Sequence, residues 1–419
     1  MMKKSISLLL LVLSVLSISA QNDFDIAKSF MSKKGVKLVP NERSLTRGTD
    51  TPYSIFNGSE GKGFCIVVNG KVVGYDTENT ANVDDLPIQL KEMLEEYSKM
   101  SSSAKTRGTD YPDWYTPKDV APIEPMVKTK WNQWYPYNEW CPMGVKETKR
   151  RDGTIAYDTI HCPVGCCGTA LAQIMSYYKP KGTVAEIPVD YGVVVRNCDG
   201  KEYVELGKSL SVTDFKWDLM KDVYSKNDEL TEEEVDAIAE LMVYCARMCC
   251  TLWDTSSGNG GIWDYRFYWY LGYNEDEIYR FDTTKELSDY ELYDKYLEQG
   301  YPLLSGANGH AFVVDGRNEI GMYHVNFGWG GSSDGYYILY NGFKYQHANT
   351  GGTKSYEIKG RNLVFLAKPN QTTGVNSVAV CTKPSDGSVY NLQGRKVGNS
   401  LEGLPKGVYM QNKKKQVVK

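Results

Sequence analysis

Two short segments of this chain carry residue types able to attack and cleave a carbonyl bond. The first runs from Gly165 through Cys166, Cys167 and Gly168 to Tyr178. From Thr169 onward it is rich in Ala, Leu, Ile and Met, which favour helix, so Cys166 falls at a helix N-terminal edge. The partial positive charge there favours a thiolate over a thiol, and the thiolate is the form that attacks a carbonyl. Alone this signal is weak, because a Cys beside an apolar helix is more often core. The second segment is Asn308-Gly309-His310-Ala311-Phe312-Val313-Val314-Asp315-Gly316, where His310 opens an apolar strand. An imidazole there would stabilise the thiolate and return a proton to a leaving amine. His310 follows Cys166 by 144 residues, a separation suited to a Cys on an early helix and a His on a later sheet. The chain has only four histidines, His161, His310, His324 and His347, so any imidazole mechanism must use one of them.

Two further segments bear on the same chemistry. In Tyr323-His324-Val325-Asn326-Phe327-Gly328-Trp329-Gly330-Gly331, His324 competes with His310. Asn326 offers a side-chain amide to orient a catalytic imidazole, and Trp329 offers shielding from water, although Gly-Trp-Gly-Gly also reads as a simple tight turn. Upstream, Gln133 lies in the loop Trp131-Asn132-Gln133-Trp134-Tyr135-Pro136. Its amide, with the Cys166 backbone N–H, would make two donors for a developing oxyanion. Losing one such donor typically raises the barrier by ~2.7–4 kcal/mol. A lone loop Gln is by default a surface residue.

The order Gln, Cys, His, then Asn with Trp resembles that of papain-like cysteine peptidases, and the local sequences resemble the streptopain family of secreted bacterial enzymes. The resemblance rests on Asn132-Gln133 with Pro136-Tyr137-Asn138, on Gly165-Cys166 with Ala172-Gln173-Ile174-Met175, on Gly309 to Val313 with Asp315-Gly316, and on Tyr323 to Asn326 with Gly328 to Gly331 and Ser333-Asp334-Gly335. It covers roughly residues 125–368. It implies an endopeptidase made as a zymogen, acting on protein or peptide substrates and restrained by its own propeptide as an intramolecular inhibitor. By this resemblance Cys166 is the nucleophile, His310 the base and Gln133 the oxyanion donor, while His324 belongs to a strand motif. The loop from Ser256 to Gly261 resembles the loop flanking the family's substrate pocket, which makes Gly258 and Asn259, together with Gly309, candidate contacts to substrate backbone. Two departures stand out. Cys167-Gly168 replaces small apolar residues after the nucleophile, and Phe327 stands where the family usually has Trp.

The elements that must position these residues form an α+β chain. Residues 1–20 read as a signal peptide: Lys3 and Lys4, an apolar run from Ile6 to Ile18, and a small residue at Ala20. The run is shorter than the ~20 apolar residues a spanning helix needs, so a secreted or cell-surface protein without stable membrane insertion is expected. Residues 21–110 form a small α+β unit resembling the family's propeptide. It has a hairpin signalled by Asn69-Gly70 between Val-rich runs, then a helix with Leu86, Leu90, Met93, Leu94 and Tyr97 on one face. The Ser-, Lys- and Pro-containing stretch from Ser101 to Pro125 reads as a flexible linker open to proteolysis, with processing expected between about 100 and 128. Residues 111–368 form the papain-like domain, a helical part plus an antiparallel sheet, with a helix from Glu232 to Cys250 capped by Thr231. Residues 369–419 form a short β tail. Its Tyr390 to Val397 and Leu404 to Tyr409 pieces resemble C-terminal β-sandwich sorting modules on exported proteins of the Bacteroidetes type.

Other functions fit less well. A net charge of -4 leaves no basic footprint for nucleic acid. Ten cysteines in an exported chain suggest disulfides or metal. Two clusters share one spacing, Cys162 with Cys166 and Cys167, and Cys245 with Cys249 and Cys250; the first holds the proposed nucleophile, and the second follows a buried helical pattern. Neither a metal nor another cofactor is therefore expected. A catalytically silent surface binding protein on the same fold, and a papain-like transferase or cell-wall amidase, are the alternatives.

Overall fold

The computed structural model describes residues 21–40, 52–82, 86–100, 110–112, 114–179, 193–198, 202–205, 214–259, 279–282, 289–307, 310–339, 344–346, 353–355, 363–366, 389–391, 396–398, 400–403, 405, 407–411 and 414–418. The N-terminal unit begins with helix α1 over 21–32. Strands β1 (Tyr53–Asn57), β2 (Phe64–Val68) and β3 (Lys71–Asp76) follow, then helix α2 (Ile88–Lys99). Asn69 and Gly70 turn β2 into β3 with φ of 51° and 72°, both positive, as a two-residue hairpin turn that matches strand twist requires. Leu90, Leu94 and Tyr97 of α2 are buried, together with Leu86 just before the helix, in keeping with the periodicity of the sequence.

The central part contains the hairpin β4 (Met143–Lys149) and β5 (Ile155–His161), helix α3 (Cys166–Tyr178), β6 (Val193–Arg196), β7 (Glu202–Glu205), helix α4 (Glu232–Met248), β8 (Leu252–Asp254) and β9 (Gly258–Asn259). Thr231 and Glu234 close a reciprocal capping box at the start of α4, which satisfies two helix N–H groups that would otherwise lack partners. The helix ends at Met248, and Cys250 sits beyond it, exposed, with φ of 49°. Cys245 and Cys249 are buried as expected. Cys250 is not, because the chain has already left the helix.

Next come β10 (Tyr279–Asp282), helix α5 (Asp289–Leu297), β11 (Leu303–Ala307), β12 (His310–Arg317), β13 (Tyr323–Asn326), β14 (Gly335–Tyr337), β15 (Lys344–Gln346), β16 (Thr353–Ser355) and β17 (Leu363–Leu366). The sheet that organises the molecule is antiparallel and nine-stranded, in the order β1-β2-β3-β14-β13-β12-β11-β17-β10. Strand β12 is buried along its whole length. Alternate side chains of a strand face opposite sides: Val313 packs with α3 and α4, whereas Phe312 and Val314 pack with α2 and α5. Each such apolar side chain contributes about 1.5–3 kcal/mol through burial.

The sheet runs across the boundary expected near residue 110. Tyr75 pairs with Tyr336 and Gly74 with Tyr337, joining β3 to β14. A Cβ at Gly74 would stand 2.7 Å from the Tyr337 ring, so only glycine lets the strands approach this closely. The expected linker is also partly fixed. Lys118 and Val120 donate backbone N–H bonds to Ile320 and Glu319, Ile123 exchanges bonds with Arg317, and Met126 donates to Asp315. This corrects the reading of residues 118–125 as a free strap: their backbone groups find partners along and just beyond β12. Residues 101–109 lie outside the described residues. Four C-terminal strands, β18 (Val389–Asn391), β19 (Lys396–Gly398), β20 (Gly407–Gln411) and β21 (Lys414–Val418), form a separate sheet.

Arg317 clamps the strap. It is 2% exposed, bonds Asp294 at 2.7 Å and Glu298 at 2.9 Å, and donates twice to the Ala121 carbonyl. Lys118 reaches the same Asp294 at 2.7 Å. Removing one partner of a buried ion pair strands the other, typically costing ~3–5 kcal/mol. Here Asp294 keeps Lys118, so Arg317→Ala is expected to cost about 3 kcal/mol. Urea unfolding of the variant in a Cys166→Ala background measures this, and trypsin should cut the variant at Lys118 sooner than the parent. Unchanged stability and unchanged digestion would show that the clamp holds nothing.

Candidate active site

Cys166 is the first residue of α3, and the turn before it depends on glycine. Gly165 has φ of 90°, and a Cβ there would lie 2.5 Å from the Gly258 carbonyl oxygen. A Cβ at Gly258 would in turn lie 2.8 Å from the Gly165 Cα. The two backbones touch, so the turn that presents Cys166 is braced by β9. Gly258 therefore lies beside the nucleophile candidate. Asn259 continues β9, with only its backbone described, and Gly309 lies outside the described residues.

His310 stands at the head of β12, 5% exposed. Its Nε2 bonds the Phe327 carbonyl at 3.2 Å, and its ring stacks on Phe327 at 6.3 Å between centroids. A carbonyl only accepts, so Nε2 carries a hydrogen, which leaves Nδ1 as the nitrogen able to face another partner. The Cys166 thiol meets this ring. Its pKa lies well below the ordinary thiol value: the neighbouring Cys167 thiol bonds to the sulfur, burial opposes ionisation, and the charge and hydrogen bond of His310 together with the Ala311 N–H favour it. Cys167 moves the other way, pushed well above the ordinary value by its bonds to Cys166 and Cys249 and by burial. The two adjacent thiols are thus shifted in opposite directions, Cys166 toward ionisation and Cys167 away from it.

Asn326 does not hold the imidazole, contrary to the sequence expectation. Its Oδ1 accepts from Gln173 Nε2 at 2.9 Å and from Gly328 N at 3.0 Å, and its Nδ2 donates to the Thr129 carbonyl at 2.8 Å. Those groups occupy the amide, and the acceptor for His310 is the next residue's carbonyl. Asn326 acts instead through the chain, fixing the turn that carries that carbonyl. His324 is also accounted for. Its Nδ1 bonds Asp315 at 2.6 Å. Burial works to lower its pKa, but Asp315, with Asp334 and Asp76, carries it above the ordinary histidine value. Its ring is held in a buried pair with Asp315.

Gln133 is pinned near the nucleophile's turn by its carbonyl, which accepts from Val164 N at 3.0 Å, two residues before Cys166. Gly330 N donates to the Trp131 carbonyl at 2.9 Å, so the loop bearing Trp329 adjoins the loop bearing Gln133. Trp329 is partly buried against the apolar layer that includes Phe327, and its indole N–H has no partner among the described residues.

Two residues with structural roles at the site received none from the sequence. Gln173 is fully buried and ties α3 to Asn326 and to the Trp131 N–H. Its signal was a polar residue set between Thr169 and Ser176 on an otherwise apolar helix. Asp334 accepts from Phe327 N at 2.8 Å, and so holds the peptide group next to the carbonyl that orients His310. Among the described residues, no group of three or more His, Cys, Asp or Glu side chains is placed to hold a metal ion, and no helix is long and apolar enough to cross a membrane.

Comparison with known proteins bears on this arrangement. Residues 131–337 match the model of the Peptidase C10 family. The matched stretch includes both Cys166 and His310. Streptopain of Streptococcus pyogenes, a similar relative, is 29% identical over 302 residues, covering 68% of this chain and 73% of its own. The thiol protease/hemagglutinin PrtT of Porphyromonas gingivalis is 26% identical over 352 residues, covering 75% of this chain but 37% of its own. Among solved structures, a fragment of Prevotella intermedia prointerpain A superposes with a TM-score of 0.54 at 20% identity, over 80% of this chain and 99% of the fragment. The last match speaks for the papain-like fold, in which helices and an antiparallel sheet meet. Taken together, the family match and the cysteine-protease relatives support a cysteine endopeptidase.

Asp334 makes this peptidase's stability depend on pH. Burial raises its pKa from 3.8 to about 7, against the lowering effects of the Phe327 N–H and His324 and with help from Asp315 and Asp76. The unfolded chain releases this proton near pH 4, whereas the folded chain holds it until about pH 7. The contribution is thus full below pH 4 and is lost as pH rises toward 7. Asp334→Asn keeps an acceptor for Phe327 and removes the titration. Its unfolding free energy should decline less between pH 4 and 7 than that of the parent, both measured in a Cys166→Ala background. Parallel declines would assign the pH dependence elsewhere.

Proposed function

We propose that the protein is a secreted cysteine endopeptidase made as a zymogen, with Cys166 as nucleophile and His310 as its acid–base partner. The observation that carries this reading is the Cys166 thiol at a helix N-terminus, its ionisation favoured by an adjacent imidazole whose other nitrogen is already bonded. In the proposed reaction the thiolate attacks the scissile carbonyl carbon. The oxyanion is met by the Cys166 backbone N–H and the Gln133 amide. His310 passes its proton to the leaving amine, whose bond to carbon breaks, leaving a thioester. His310 then takes a proton from water as that water attacks the thioester. The carboxylic acid product leaves and the thiol is restored. Trp329 shields the His310 side of the site, and Gly258, Asn259 and Gly309 are proposed to meet the substrate backbone.

Residues 21–110 are assigned as the inhibitory propeptide, removed to give the active form. This is supported by contacts of Asn79 and Thr80: Ser333 N donates to the Thr80 carbonyl and Asn79 donates to the Asp334 carbonyl, both in the loop after Phe327, while Lys130, before Trp131, reaches Asn79 at 2.6 Å. The loop that carries Trp329 is thereby held by the N-terminal unit. Residues 1–20 are assigned as the export signal and 369–419 as a sorting module. Because backbone bonds fix the strap from Lys118 onward, the first cut is assigned N-terminal to that residue.

Cys166→Ala should abolish casein cleavage and leave the precursor uncut, and N-terminal sequencing of the processed wild type should find a start between residues 101 and 117. An active Cys166→Ala beside an inactive Cys167→Ala would show that the nucleophile is misassigned. A full-length, fully active secreted form would reject the zymogen. Export unchanged by deletion of residues 370–419 would reject the sorting role.

A further inference from the structure

One face of α3 carries Cys166, Thr169 and Gln173, spaced three and then four residues apart, so they line up along the helix. The turn after β13 lies against this face: a Cβ at Gly328 would stand 2.9 Å from Thr169 Cγ2 and 3.8 Å from Gln173 Nε2. Gln173 and Asn326 are both buried there. Gln173 Nε2 donates to Asn326 Oδ1 at 2.9 Å, and its Oε1 accepts from Trp131 N at 3.3 Å and from Thr129 Oγ1 at 3.4 Å. Asn326 Oδ1 also accepts from Gly328 N at 3.0 Å. A backbone N–H can only donate, so Trp131 and Gly328 fix which end of each amide is oxygen. With both amides so turned, the Gln173 nitrogen is left facing the Asn326 oxygen. The Gly328 N–H and the Phe327 carbonyl belong to one planar peptide group, and that carbonyl is the acceptor for His310 Nε2.

We propose that Gln173 is a positioning residue for His310: from the helix that carries Cys166, its amide holds Asn326, which holds the peptide group whose carbonyl aligns the imidazole. The proposal rests on the reading of Cys166 and His310 as the catalytic pair. These contacts give the nucleophile and its partner a common support, because Cys166 and Gln173 ride on one helix about two turns apart. A buried polar row whose members are satisfied by one another favours a single arrangement. An aliphatic side chain at this position would fill the space beside Asn326 and donate nothing. Asn326 would then be held only by Gly328 N and the Thr129 carbonyl, and the peptide group it fixes would gain freedom to tilt.

The test is the pH dependence of iodoacetamide alkylation at Cys166 on the full-length chain. It is read residue by residue from tandem mass spectra, because Cys198 and Cys250 are exposed and will also react. The parent should show a half-point below that of an ordinary cysteine. In Gln173→Leu it should move up by about half a unit, because a misaligned imidazole supports the thiolate less. Well below the half-point, alkylation would be roughly threefold slower than in the parent, and at high pH the two should converge. Gln173→Glu retains an acceptor for Trp131 and Thr129. Once protonated, its carboxyl also donates, so its rate should return to that of the parent as pH falls, whereas the Gln173→Leu deficit should persist. Urea unfolding shows whether each variant is folded, and should Gln173→Leu not fold, Gln173→Glu carries the test. A folded Gln173→Leu with the parent's half-point, or a Gln173→Glu that stays slower than the parent throughout the acid range, would overturn the positioning role while leaving Cys166 as nucleophile. An ordinary half-point at Cys166 in the parent would overturn the catalytic reading beneath it.

Discussion

The functional account depends on one electrostatic contact, between the sulfur at the N-terminal end of α3 and the imidazole at the head of β12. Neither group is reactive in the required sense alone. A cysteine at neutral pH is mostly a thiol, and burial by itself pushes it further that way. What reverses the balance at Cys166 is the sum of donors and positive charge around the sulfur: the neighbouring thiol, the imidazole and a backbone N–H. This environment exists only if the helix end and the strand head are held together. Gly165 against Gly258 and Gly168 against Ala246 provide the close approaches that set the helix in place.

The second level of support is the turn after β13. The Phe327 carbonyl fixes which nitrogen of His310 carries a hydrogen, and that carbonyl is itself fixed from both sides. Asn326 bonds the Gly328 N–H, and Asp334 bonds the Phe327 N–H. Around this turn lie His324, Asp315, Asp334 and, from the N-terminal unit, Asp76, which are buried together. The carboxylate of Asp76 belongs to β3, whose pairing with β14 makes the N-terminal unit an extension of the main sheet. Removal of that unit would therefore change the charge and packing next to the turn that orients His310. A substitution at Gly74 or Asp76 would reach the site by the same route.

Much of this was legible in the sequence, for identifiable reasons. The helix start at Cys166 and the strand head at His310 follow from local composition, and α4, the Asn69-Gly70 hairpin and the C-terminal strands follow from caps, turns and alternation. What escaped detection was long-range partnership. Nothing local indicates that Asn326 bonds Gln173, 153 residues away, so its amide was free to be assigned to the imidazole. The pairing of β3 with β14 joins strands some 260 residues apart, and composition alone made residues 118–125 look like open linker. Cys250 was misjudged because a helical pattern continued past the point where the backbone turned left-handed.

The most direct measurement of the central claim is the ultraviolet absorbance of the thiolate, taken as the difference between the full-length protein and Cys166→Ala and followed across pH. The account predicts thiolate absorbance already present well below the pH at which an ordinary cysteine ionises, and diminished there in His310→Ala, because the imidazole is one of its supports. Absorbance that develops only above about pH 8, as for an ordinary cysteine, and is indifferent to His310→Ala, would contradict it.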